Sequence, residues 1–263
     1  MELKIIHFYP DLMSLYANVS VLRRYLEALG CAVTVQPVVP GEGADITGAD
    51  FLFMGAGTER AQRFAAEDFA RYSATVKAAA EDGTAMLFAG TAMELLGASV
   101  TDRDGDTYPG IGLASFTTVQ GKRRIVGDVY GVTALFPEAV VGFMNKCGQI
   151  RGVEAPLLTG LSLGFGNEAE KGPEGLHWKN VFASELSSGK APPAAGGCGG
   201  RHLYPAGHFP ARGAAVLPLC RGGLRHHSRA VEAAGRGPAV IAGRIRQDGR
   251  LWAAVLFFAE ARR

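Results

Sequence analysis

Two rhythms of apolar and polar positions run through the first half of this chain. Short apolar runs alternate with stretches in which apolar residues recur every three or four positions, the pattern of buried strands followed by amphipathic helices. Leu3–Tyr9 reads as a first strand. Pro10-Asp11 then opens a helix carrying Leu12, Leu15, Tyr16, Val19, Leu22, Leu26 and Leu29, which Gly30 ends. Cys31–Val35 and Asp50–Met54 read as the second and third strands, with a Pro/Gly-bearing loop over 37–44 between them. A long helix is predicted over roughly 60–81. This alternation predicts an α/β fold, a mostly parallel sheet with helices on both faces, whose ligands sit at the carboxyl ends of the strands.

The stretch Met86-Leu87-Phe88-Ala89-Gly90-Thr91-Ala92-Met93-Glu94-Leu95-Leu96-Gly97 fits this frame in a particular way. An apolar strand reaches a small residue and a glycine, then leaves as an amphipathic helix, the layout of a nucleophile elbow. The residue at its tip is Ala89, whose methyl group has no nucleophilic atom. From about residue 100 the pattern turns to shorter β-like runs: 123–130, 139–143, 161–166 and a single strand over 177–184. Asp102-Arg103-Asp104-Gly105-Asp106 reads as a polar surface turn, because the later glycine and glutamate of a calcium loop are missing.

Composition changes the picture in one place. The net charge of +2 divides into 15 Lys+Arg against 22 Asp+Glu over residues 1–187, and 12 against 3 over residues 188–263. The second part opens on the low-complexity run Ala191–Gly200 and holds four of the six histidines. Two readings of it stand: a flexible basic tail, or a GC-rich gene translated out of frame. The chain is therefore divided into a domain over 1–189 and an irregular Gly/Ala/Arg/Pro-rich tail over 190–263. No apolar run is long enough to span a membrane, and the N-terminus shows no signal-peptide layout, which predicts a cytoplasmic protein. The four cysteines, Cys31, Cys147, Cys198 and Cys220, form no CxxC pair and read as free thiols. His226-His227 and His202 with His208 do not have metal-ligand spacing, so no metal or cofactor is expected, and the basic excess is not read as a nucleic-acid site.

Several segments together resemble a known family. Phe53-Met54-Gly55-Ala56-Gly57-Thr58-Glu59-Arg60-Ala61-Gln62 is similar to the Gly-Gly-Gly-x-x-Arg-x-Gln segment of the CobB/CobQ-like class I glutamine amidotransferases. The elbow resembles their Cys-Gly-Gly-Tyr-Gln-x-Leu-Gly. Arg124–Asp128, Val141-Gly142-Phe143 with Asn145, Gly164–Asn167 and Glu174–Asn180 are further matches. The resemblance covers about 1–189, none of the tail, and is strongest to the GatD-like group. Those proteins work beside a Mur-ligase-like (MurT-type) subunit in lipid II amidation. It implies a flavodoxin-like fold and glutamine hydrolysis, with a cysteine attacking the amide and a histidine protonating the departing ammonia. Carried over by position, Gly55, Ala56 and Gly57 match the oxyanion turn, Gly90 the elbow glycine, and Arg124 an arginine that grips the glutamine carboxylate.

Two positions depart from the family pattern. The cysteine position is Ala89. The histidine position falls in Ser184-Glu185-Leu186-Ser187-Ser188-Gly189, at Ser187 or Ser188. This predicts a pseudo-amidotransferase subunit that retains glutamine as a possible ligand. An active glutaminase subunit and a binding module for glutamine or a nucleotide are the alternatives. Other residues have a plain reading beside a chemical one. Thr91 is a cap or local hydrogen-bonder rather than a substitute nucleophile. Cys147 is a partly buried thiol, unless Lys146 lowers its pKa. His177 is structural. Arg124, beside Lys122 and Arg123, is either the carboxylate grip or a solvated strand end, and Gly55–Gly57 either the oxyanion turn or a generic phosphate turn.

Overall fold

The computed structural model of the chain describes residues 2–15, 19–28, 30–135 and 139–187. Ser188 and the whole tail lie outside them, as do Tyr16 and Leu29 of the first expected helix. The described elements are β1 (Glu2–Phe8), α1 (Val19–Ala28), β2 (Ala32–Val38), β3 (Phe51–Met54), α2 (Glu59–Phe69), α3 (Ser73–Glu81), β4 (Ala85–Ala89), α4 (Thr91–Glu94), β5 (Ser99–Thr101), β6 (Thr107–Pro109), β7 (Thr117–Val132), β8 (Val140–Arg151), β9 (Gly160–Leu163), β10 (Leu176–Trp178), β11 (Val181–Ser184) and β12 (Leu186–Ser187).

The first sheet runs β10-β11-β4-β3-β1-β2 and is parallel throughout except at β10–β11. Its core order, β2-β1-β3-β4-β11, is the flavodoxin-like arrangement. Every residue of β3 and β4 is buried, as a strand covered on both faces requires. Alternate residues face opposite layers. Leu52, Met54, Met86 and Phe88 pack with Phe69, Tyr72 and Val76 of the α2–α3 layer. Phe51, Phe53 and Leu87 pack with Leu22 and Leu26 of α1 and with Val129 and Met144 of a second sheet. That second sheet runs β12-β8-β7-β5-β6, with β9 paired to β7. The chain passes from the last parallel strand, β11, into β12 through the single residue Glu185, so the two sheets are stitched together there.

Four expectations from periodicity need correction. No helix starts at Pro10: Tyr9 turns the chain at φ 53° and its carbonyl accepts N–H bonds from Leu12 and Met13, and the described helix α1 spans Val19–Ala28. The helix over 60–81 is broken by a 3₁₀ turn at Ala70–Tyr72, where Tyr72 is buried beneath the loop at Ala44. The helix after the elbow is a single turn whose four residues are all buried, hence not amphipathic. The strand over 177–184 is a hairpin, β10 and β11, turned at Lys179 with φ 53°. The polar turn at Asp102–Asp106 is present, closed by Asp102 Oδ1 accepting from the N–H groups of Asp104 and Asp106. No helix among the described residues is long and apolar enough to cross a membrane.

Candidate functional site

A cavity of about 200 Å³ opens at the carboxyl ends of β3, β4 and β11. Its floor is the elbow. Ala89 ends β4 and is buried; Gly90 follows at φ 58°, ψ −138°, a conformation that L side chains rarely adopt. A side chain there would also meet Ala56, whose Cβ is 2.5 Å from where a Cβ of residue 90 would lie. The opposite wall is the turn after β3, drawn against the elbow by Thr91. Its Oγ1 accepts from the N–H of Gly57 at 2.9 Å and donates to the Gly57 carbonyl at 3.1 Å. Thr91 is thus a structural clasp, and it occupies one of the N–H groups expected to face an oxyanion. The Gly90 N–H is engaged too, by the Ser184 carbonyl at 2.7 Å. Ala56 and Gly57 line the cavity, whereas Gly55 does not.

The rim comes from the second sheet. Between Gln120 and Ile125 the β7–β8 register slips, and the bulge carries Arg124 to the cavity. Its Nη1 donates to Glu59 Oε1 at 2.6 Å, while Nε and Nη2 donate to the side-chain and backbone oxygens of Asn145 at 2.7 and 3.1 Å. Three of the five guanidinium N–H donors are engaged, which leaves two for a ligand. Burial pushes the Glu59 carboxyl up, but hydrogen bonds from its own backbone, Cys147 and Arg124 prevail and hold it below its ordinary range. The pair thus orients the guanidinium, with 46% of the Arg124 side chain exposed.

Cys147 does not line the cavity. Its Sγ donates to Glu59 Oε1 at 3.2 Å, and burial, reinforced by Glu59, pushes the thiol up to about 12. Lys146, its neighbour on a strand, faces the opposite way: it is fully buried, and Nζ donates to the carbonyls of Gly166 and Asn167 at 2.9 and 2.7 Å. Ser187 lines the cavity, with its hydroxyl donating to the Phe143 carbonyl at 3.0 Å. His177 is elsewhere, stacked on Phe182 at 4.8 Å with its pKa lowered by burial. Among the described residues no histidine and no thiol lines the cavity. Nor do any of them form a group of three or more His, Cys, Asp or Glu able to hold a metal ion.

The CobB/CobQ-like glutamine amidotransferase domain matches residues 4–186, the span that builds both sheets and the cavity. The chain belongs to this family. It is 30% identical over 188 residues to the lipid II isoglutaminyl synthase (glutamine-hydrolyzing) subunit GatD of Staphylococcus aureus, covering 70% of this chain and 76% of that protein. It is 32% identical over 190 residues to the subunit of the same name from Streptococcus pneumoniae, covering 70% and 72%. Among solved structures it is similar to PurLQS from Thermotoga maritima, with a TM-score of 0.48 and 14% identity over 72% of this chain and 88% of that one.

Glu59, Asn145 and Glu185 line this cavity without a role in the sequence reading. Glu59 and Asn145 stand inside matched segments, which was the available signal. Glu185 had none, because nothing in Ser184-Glu185-Leu186 marks a carboxyl that will be buried. Beneath the floor it joins an unusual polar layer. Glu94 Oε2 accepts from Gln62 and Gln120 at 2.8 and 3.2 Å. Glu174 accepts from Ser184 Oγ at 2.9 and 3.0 Å and from the Glu185 N–H at 2.8 Å. Burial raises all three carboxyls: Glu174 to about 7, Glu94 upward against the pull of Gln62, Gln120 and Lys146, and Glu185 well upward, with Glu94 adding to it.

Proposed function

We propose that this chain is a non-hydrolysing member of its family, a pseudo-amidotransferase subunit whose cavity still receives glutamine. The observation that carries the reading is the methyl group of Ala89 at the tip of an otherwise complete elbow. Attack on an amide carbonyl requires a nucleophile on that spot and a base beside it, and the flanking Ser187 offers a hydroxyl already committed to Phe143. Removing a nucleophile alone can cost about 10⁶ in rate. The arginine matched to the carboxylate grip is retained: Arg124 keeps two donors free beside its bonds to Glu59 and Asn145. By likeness to the GatD subunits of lipid II isoglutaminyl synthase, the functional setting is lipid II amidation within a multi-subunit enzyme, and the motif resemblance makes the partner a Mur-ligase-like subunit.

The test combines ammonia release with calorimetry on the full chain. No glutaminase activity is expected, with or without a Mur-ligase-like partner, whereas glutamine should bind. Arg124→Ala should weaken that binding by about 1.5–3 kcal/mol, the worth of hydrogen bonds to a charged group. Ammonia release from glutamine by the wild-type chain would overturn the reading.

A further inference from the structure

An antiparallel sheet with one face in water alternates apolar residues inward with polar residues outward. The half of the second sheet built from β9 and the far ends of β7 and β8 breaks that alternation. Inward, Val129 of β7 and Val140 and Met144 of β8 pack into the core. Outward, the intervening positions are apolar as well. Leu163 of β9, Tyr130 of β7 and Val141 of β8 are in register and form one row across three strands. Val126 and Val132 share the face of Tyr130 on β7, and Phe143 shares that of Val141 on β8. Val126, Val132, Val141 and Leu163 are between 48% and 67% exposed, and they are four of the eight large apolar side chains exposed among the described residues. Exposed apolar residues scattered singly need no explanation, but a contiguous patch of them marks a contact surface.

The patch runs into the margin of the cavity. Asn145, in register with Val126, lines the cavity, and so does Ser187, in register with Phe143. At the same margin the β7 bulge sets Lys122 and Arg123, both exposed, beside Arg124. Arg124 is paired with Glu59, so Lys122 and Arg123 bring two further positive charges to this border. They are a local exception, because residues 1–187 hold 15 Lys+Arg against 22 Asp+Glu. An apolar centre with a cationic border fits an apolar strip bordered by carboxylates. A second copy of this chain, meeting the face through its own identical face, would bring the same cations and no such carboxylates. We propose that the outer face of the second sheet, with the Lys122–Arg123 bulge as its border, is the docking surface for the partner subunit, which meets it with apolar and acidic side chains. The proposal rests on the reading that the chain works beside a Mur-ligase-like subunit. It adds where on this chain that subunit sits and what its contacting surface carries.

The experiment titrates the full chain and its variants with the Mur-ligase-like subunit of the same organism, by calorimetry at low and high salt. Val141→Asp and Leu163→Asp alter exposed positions, so both should keep the wild-type melting temperature. Each should weaken the complex by about tenfold or more, since it buries a charge in the apolar centre of the contact. Phe64→Asp is the control: Phe64 is equally exposed but lies on α2, away from this face, and its variant should bind within about threefold of wild type. The double variant Lys122→Glu, Arg123→Glu should weaken the complex by about tenfold at low salt and flatten its salt dependence, because border charges act through attraction that salt screens. Wild-type affinity in both Val141→Asp and Leu163→Asp overturns the docking surface while the partner reading stands. An unchanged salt dependence in the double variant overturns the acidic chemistry assigned to the partner. Sedimentation of the chain alone as a dimer that Val141→Asp dissociates gives the face to a second copy instead. Absence of any complex with the wild type sinks the partner reading and the surface together, and leaves the glutamine reading to its own calorimetric test.

Discussion

At the scale of single residues the cavity is shaped by what is missing as much as by what is present. Gly90 has no substitute, because its backbone lies where an L side chain is strained and its missing Cβ leaves room for Ala56. Gly90→Ala should therefore lose roughly 2–4 kcal/mol of stability, backbone strain and overpacking together, measured by urea denaturation. A loss below about 0.5 kcal/mol would mean that the elbow relaxes freely. Gly90 and Ala89 were legible in the sequence, since an apolar run ending in Ala-Gly before a helix has few geometric solutions. The plain reading of Cys147 as a buried thiol also holds: the adjacent Lys146 does not lower its pKa, because neighbours on a strand point to opposite faces. The thiol is raised by burial against a carboxylate.

Among the elements, α2 and the one-turn α4 hold the site in place through a side chain rather than through apolar packing alone. Gln62, fully buried on α2, donates to the Thr91 carbonyl and to Glu94 Oε2, both at 2.8 Å. Its Oε1 accepts from Tyr108 and from Gln120 of β7, at 3.1 and 2.8 Å. All its hydrogen-bonding capacity is spent linking the first layer, the elbow and the second sheet. Gln62→Leu keeps the volume but removes four hydrogen bonds from the network, so a loss of roughly 2–4 kcal/mol is expected, with the melting temperature as the readout. A variant as stable as wild type would show that the network relaxes around a leucine. Periodicity foresaw the body of α2 and placed Gln62 inside a family segment, but not the break at Ala70–Tyr72. A 3₁₀ turn leaves little trace in a 3.6-residue pattern, and Tyr72 stays apolar on its buried side. The missed start of α1 has the same origin: apolar residues at helical spacing from Leu12 onward serve a turn at Tyr9 and, in Leu15, the cavity wall.

Over the whole molecule, two sheets meet across a layer that holds Glu94, Glu174, Glu185 and Lys146, and this sets its response to pH. Glu174 is raised by burial from 4.5 to about 7, so the stability it contributes in its protonated form is complete below pH 4.5 and is lost as pH rises through 7. Glu94 and Glu185, also raised, act in the same direction. His7, bonded to Ser14, opposes them. Burial, against the pull of Asp11, lowers it to about 4, so the unfolded chain takes up its proton first and stability falls as pH drops from 6.5 towards 4. Between pH 4.5 and 6.5 the terms partly cancel. His7→Asn should steepen the decline of stability with rising pH across that window, and Glu174→Gln should flatten it. Denaturant titrations at three pH values would check this, and identical slopes for wild type and both variants would refute it.

The sequence by itself determined the parallel sheet, the elbow, and the absence of sulfur at its tip. Those features follow from local periodicity and from the identity of one residue, and both are written in order along the chain. Only the tertiary structure decided that a bulge in β7 delivers Arg124 to Glu59 and Asn145, and that Glu185 is the stitch between two sheets above a buried acid layer. Charge and burial are properties of what converges in space. Residues 59, 94, 124, 146, 174 and 185 acquire their chemistry from one another, across separations that no window along the chain can span.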